Sequence, residues 1–122
     1  MATWDDVRRL ALELPETEES TSYRQPCMKV AGKTFLNMSP HEHGALVVRV
    51  DYDEKPLLLA SRPEVYYETP HYRGFSGLLV RLEAIDEDEL RERVIDSWLL
   101  VAPRRLVWKV DARADQTEGR ER

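Results

Sequence analysis

The residues with chemical capacity gather in a few short stretches. His71-Tyr72-Arg73-Gly74, followed by Phe75, brings an imidazole, a phenol, a guanidinium and a second ring into one turn. Arg73 offers a planar, permanently charged fork that suits phosphate or carboxylate, while Tyr72 and Phe75 offer faces on which a ring can stack. That is recognition chemistry, and it makes His71, Tyr72 and Arg73 a candidate ligand turn. The same residues admit a structural reading, in which Gly74 takes a positive φ and Arg73 pairs with an acid such as Glu68.

His41 and His43 flank Glu42 at a hairpin tip. A catalytic metal needs a further fixed ligand and outer partners for its histidines, so this tip reads as a solvated turn. Cys27 stands beside neither a helix N-terminus nor a base in the sequence and reads as a buried or half-buried structural thiol, the alternative being a nucleophile that a distant His71 approaches in the fold. As the only cysteine, it excludes an internal disulfide framework and any zinc site built on several thiolates. Gly74-Phe75-Ser76-Gly77 lacks the spacing of a serine nucleophile elbow and the lysine of a phosphate loop. No catalytic residue, metal ligand or cofactor is expected from these motifs.

The elements that must position these stretches are legible from periodicity. Thr3 caps a first helix, expected near 3–14, with Asp6 closing a capping box. Val7, Leu10, Ala11 and Leu14 form its apolar stripe, and Pro15 ends it. Glu16 to Glu19 is acidic and without period, and reads as a loop. Met28-Lys29-Val30 and Thr34 to Met38 make a hairpin about Gly32. The apolar run Ala45 to Val50 reads as the third strand of an antiparallel meander, in a central position with both faces partly covered. A short helix near Pro56, strands at 65–68 and 78–82, and a helix near 86–102 capped by Asp86 follow. Leu90, Val94, Trp98 and Val101 form the stripe of that last helix, and Leu106-Val107-Trp108 is expected to pack back on the core. Two apolar stripes, each needing a covering surface, predict an α+β, two-layer domain with both helices on one face of an antiparallel sheet and the other face left free.

Composition sets the class. The 122 residues are 42% apolar and 34% charged, with 18 basic and 23 acidic side chains and a net charge of −5. This fits one globular domain over 1–111, with 112–122 expected to be a disordered tail. No apolar stretch approaches the roughly 20 residues of a bilayer span, and the N-terminus is not a signal peptide, so no membrane partner and a cytoplasmic location are expected. A net negative charge argues against tight non-specific nucleic-acid binding. The average hides segments of opposite sign: residues 21–50 carry Arg24, Lys29, Lys33 and Arg49 against Glu42 alone, and Arg104, Arg105 and Lys109 make 103–111 basic. The two long helices are acidic.

Leu12-Glu13-Leu14-Pro15 with the acids after it, Met28 to Phe35, Thr69-Pro70-His71-Tyr72-Arg73-Gly74-Phe75, and Ser97 to Leu106 together resemble the MmcQ/YjbR-like family, over roughly residues 4–108. The resemblance implies a fold similar to bacterial frataxin (CyaY), also called double-wing, and a DNA-binding role. It implies no catalytic residue, since that family has no established enzymatic activity. On this basis DNA is the expected partner of a monomeric domain, bound weakly, with Arg24, Lys29, Lys33, Arg49, Arg73, Arg104 and Arg105 as candidate contacts. Two alternatives stand beside it. One is frataxin-like iron binding on the acids of the first helix and its following loop, where Arg8 and Arg9 interrupt the ridge. The other is a small-molecule site on the His71–Phe75 turn.

Overall fold

The computed structural model describes residues 2–110, so the tail expected at 112–122 lies outside the described residues. Helix α1 spans Trp4–Leu12, and its Thr3 and Asp6 form the expected capping box. It stops two residues before the sequence suggests, because Pro15 disfavours helical backbone at Leu14. Leu14 still turns inward and is buried.

The segment expected to be a loop is instead a strand. β1, Thr17–Ser22, pairs antiparallel with β2, Gln25–Val30, from Thr17 opposite Val30 to Ser22 opposite Gln25. It is an edge strand with no buried position, so it carries no apolar alternation, and the β2 ladder supplies its order. β2 turns through Ala31 and Gly32, at φ 49° and 84°, into β3, Lys33–Met38. β4 is Ala45–Arg49, and α2, Lys55–Ser61, follows it. β5 is only Tyr66–Tyr67, shorter than the 65–68 expected, and β6 is Gly77–Arg81. α3 spans Glu87–Val101, with the Asp86 side chain accepting from the Glu89 amide at 2.8 Å. Residues 104–110 are helical again. None of these helices is long and apolar enough to cross a membrane.

The six strands form one antiparallel sheet in the order β1-β2-β3-β4-β6-β5. α1 and α3 lie on the same face, as two apolar stripes require. Val7 and Leu10 of α1 and Leu90, Val94 and Trp98 of α3 join Leu36, Leu46, Val48, Leu78 and Val80 in one core. Leu106 and Val110 close that layer, while Trp108 is exposed. Trp98 is fully buried, and its indole N–H donates to the Pro15 carbonyl at 3.2 Å and the Thr17 hydroxyl at 3.1 Å, joining α3 to the start of β1. β4 is central, as its apolar run implies: Leu46 and Val48 face the helices, whereas Ala45 and Val47 pack with Leu79 on the other face.

Candidate ligand pocket on the helix-free sheet face

The second sheet face carries no helix among the described residues, but it is not bare. Tyr72, with Tyr67 and Phe75 beside it, packs on Ala45, Val47 and Leu79. The turn at 70–75 therefore folds over part of the face that the sequence suggests is free. Its placement follows from local chemistry. Lys55, buried at the start of α2, donates to the Phe75 carbonyl at 2.7 Å and the Tyr72 carbonyl at 3.3 Å, and pairs with Glu68 at 2.8 Å. The Tyr52 hydroxyl donates to the Gly74 carbonyl at 3.2 Å. Gly74 takes the positive φ expected of it, 85°. Glu68 pairs with Lys55 and leaves Arg73 exposed, which corrects the pairing of Arg73 with Glu68.

Gly77 fixes the ring. A Cβ there would lie 2.5 Å from the Phe75 ring and 2.5 Å from the Val48 carbonyl oxygen. Phe75 thus occupies the place a β6 side chain would take opposite Arg49, and the Arg49 guanidinium lies 5.0 Å from its ring centroid. The Arg49 backbone is held from the helix side, where buried Ser97 accepts its amide at 2.9 Å and donates to the Phe35 carbonyl.

The His41 turn also belongs here. The Ser39 and Tyr72 hydroxyls are 2.7 Å apart, and Ser39 accepts the amides of His41 and Glu42 at 3.1 and 3.0 Å. His41 rests on His71 with ring centroids 4.0 Å apart. The turn that reads as simply solvated therefore packs against the aromatic turn, although both imidazoles remain exposed. The two turns, Val47, Arg49 and the Ser22-Tyr23 end of β1 enclose a cavity of about 480 Å³, with Thr34 and Asn37 on its floor. No acid lines it. A smaller cleft of about 260 Å³, also lined by Arg49, lies against Asp51, Tyr52, Ser76 and Leu100.

The seven predicted contacts divide between the two sides of the domain. Arg49 is in the pocket, Arg24 adjoins its lining residue Tyr23, and Arg73 is exposed on the turn that forms its wall. Lys29 is opposite Thr34 in the sheet register and so shares the pocket face, whereas Lys33 is opposite Val30, which faces the helices. Arg104 and Arg105 start the 104–110 helix, whose Leu106 belongs to the helix-side core. Arg105 grips Glu16 with two hydrogen bonds of 2.8 and 2.9 Å. His71 and Tyr72 both line the pocket. Four of the acids considered for iron are engaged with bases, Glu19 with Arg8, Asp6 with Arg9, Glu13 with Arg91 and Glu16 with Arg105, whereas Asp5 and Glu18 have no ion pair among the described residues. Among the described residues no three His, Cys, Asp or Glu side chains cluster as metal ligands would. Cys27 is fully buried in β2, as expected.

Sequence reading missed Tyr23, Thr34, Asn37, Lys55, Gly77 and Ser97. The alternation Ala45, Val47, Arg49 could have put Arg49 on the face away from the helices. Nothing local could have shown that Lys55 holds a turn some twenty positions away. Farther along the same face a cavity of about 340 Å³ is lined by His43, Tyr67, Arg81 and Glu83. There Arg81 is already engaged, stacked 4.0 Å from the Tyr67 centroid and donating to the Pro63 carbonyl at 3.0 Å. Burial, and then the charge of Glu42, push the Tyr67 phenol above its ordinary value and keep it protonated.

Fold and site together define an α+β open-sheet domain, helix-covered on one face and concave on the other. The chain belongs to the YjbR family, whose model matches residues 12–100. It is 36% identical over 121 residues to the uncharacterized protein Rv2570 of Mycobacterium tuberculosis, covering 88% of this chain and 94% of that protein. The uncharacterized protein Mb2600 of Mycobacterium bovis is similar to the same degree, at 36% identity. Among solved structures, Deinococcus radiodurans protein DR2400, with its DUF419 domain, superposes with a TM-score of 0.71 at 23% identity, over 83% of this chain and 79% of that one. That likeness establishes the shared fold.

Proposed function

We propose that this chain is a non-enzymatic binding domain that takes a small anionic ligand in the pocket of the helix-free face, with the charge on Arg49. One observation carries the reading. Arg49 is a half-buried guanidinium in a concave site, with no carboxylate at ion-pair distance among the described residues. Elsewhere the buried cations are matched: Lys55 has Glu68, and Arg93 has Glu54 and Asp96. A guanidinium fork beside rings and without an ion-paired acid suits a carboxylate or phosphate. Calorimetric titration with inorganic phosphate and with acetate tests this. Wild-type protein should bind one of them, and Arg49→Met should weaken it by about tenfold or more. Equal affinity in the variant would remove the reading.

A second reading, DNA binding, is favoured by Arg24, Arg49 and Arg73 lying around one aromatic-lined mouth. Lys33, Arg104 and Arg105 contribute little to it, because they belong to the other side. With three phosphate contacts the slope of log affinity against log salt should be about −3. Fluorescence anisotropy with labelled single-stranded and duplex DNA at several salt concentrations measures it, and no binding to either form at low salt would dispose of it. The concavity of the site and the net charge of −5 favour a small ligand over a polyanion.

A further inference from the structure

We infer that the ligand of this pocket is a small anion built on a flat ring, a ring carboxylate or ring phosphate, and that Tyr23 supplies a stacking face for the ring. The inference rests on the anion reading of Arg49 and adds the ring and the element that recognises it. Tyr23 and Arg24 form the two-residue turn between β1 and β2, and both hold positive φ, 51° and 66°. Tight hairpin turns with two such residues favour Asn-Gly, and a side chain beyond Asn or Asp costs energy at each position. The next hairpin follows that rule in part, with Gly32 at its second position.

Tyr23 and Arg24 do little for the fold in exchange. Tyr23 is 83% exposed, and neither side chain enters an ion pair among the described residues. Yet Tyr23 lines the same cavity as Arg49, Tyr72 and Phe75. Strained backbone kept at the mouth of a cavity, for side chains the core does not use, points to recognition. The cavity, about 480 Å³, is large enough for a compound of one or two rings. Its aromatic walls suit a ring face, Asn37 and Thr34 can hydrogen-bond ring substituents, and the lack of a lining acid disfavours a cationic ligand.

Titration of the full chain with phenyl phosphate, benzoate, inorganic phosphate, acetate and phenol separates the contributions. The better ring anion should bind at least about tenfold tighter than its ring-free counterpart and than phenol. Whether phenyl phosphate or benzoate is preferred identifies the anionic group. The double substitution Tyr23→Asn, Arg24→Gly relieves the turn, so it should melt about 3–5 °C higher than wild type. It should also bind the ring anion about tenfold more weakly, a larger loss than the ring-free anion suffers. Tyr23→Ala alone should reproduce the loss of ring affinity with Arg24 intact. Ring-free anions binding as tightly as ring anions, unchanged ring affinity in both variants, or a double variant no more stable than wild type would overturn this inference and leave the Arg49 site standing. Failure of every anion to bind wild type would overturn both.

Discussion

On the helix-covered face, Leu46, Val48, Leu78 and Val80 meet α1 and α3 in a closed core; on the other face, Ala45, Val47 and Leu79 meet only a turn carrying Tyr72 and Phe75. The charges differ in part: among the described residues Lys33 and Arg104 on the helix side have no ion pair, and Lys55 pairs with Glu68 on the pocket side. On the helix side Arg8 pairs with Glu19, Arg9 with Glu87, Arg91 with Glu13 and Arg105 with Glu16. On the pocket side Arg24, Arg49 and Arg73 have no ion pair among the described residues. A cation matched by an acid of its own chain contributes to structure, whereas a cation left unmatched beside a cavity is available to a ligand. One face of the sheet thus holds the domain together, and the other is the face we propose as the binding surface.

Substitutions can break this contrast, and the largest effect belongs to the closed face. Trp98→Ala removes a fully buried indole and two hydrogen bonds, and should cost about 3–5 kcal/mol in urea denaturation. Next comes the point where the pocket is built into the sheet. Gly77→Ala forces a methyl group against the Phe75 ring and the Val48 carbonyl, and should cost about 1–3 kcal/mol. It should also displace Phe75 from Arg49, so that anion affinity falls together with stability.

Acid should act mainly on the helix side. Hydrogen bonds from Arg105 hold the Glu16 carboxyl below its ordinary 4.5, and those from the Trp4 indole and Arg8 do the same for Glu19. A carboxyl lowered in the folded state stabilises above its unfolded value and loses that contribution as pH falls through the folded one. Urea midpoints should therefore be level above about pH 5 and decline below it. Glu16→Gln should lower the neutral midpoint slightly and flatten the decline. The smallest stability effect is at the pocket: Arg49→Met should change unfolding by about 1 kcal/mol or less, since it loses the contact with the Phe75 ring but leaves no acid unpaired. A large loss there would place Arg49 among the structural cations.

How much of this was legible in the sequence follows the same division. α1 and α3 were readable because their caps and stripes are local: Thr3 with Asp6, Asp86 with Glu89, and the Leu90-Val94-Trp98 spacing. β1 was not, because Thr17–Ser22 is an edge strand whose order comes from β2 rather than from any alternation of its own. His71, Tyr72, Arg73 and Phe75 could be singled out by residue type. Their union with His41, Arg49 and Tyr23 depends on long-range contacts, above all the Ser39–Tyr72 hydrogen bond and the Lys55 anchor. Charge counting grouped Arg104 and Arg105 with Arg49 by sign, but it carries no information about which face each residue joins.

The most direct test of the account is an amide NMR titration of the full chain with phenyl phosphate, repeated on Arg49→Met. Saturable shifts should gather on Tyr23, Asn37, His41, Val47, Arg49 and the 71–75 turn, leave the amides of α1 and the 104–110 helix in place, and vanish in the variant. Shifts that gather instead about Arg104 and Arg105, or that persist unchanged in Arg49→Met, would contradict it.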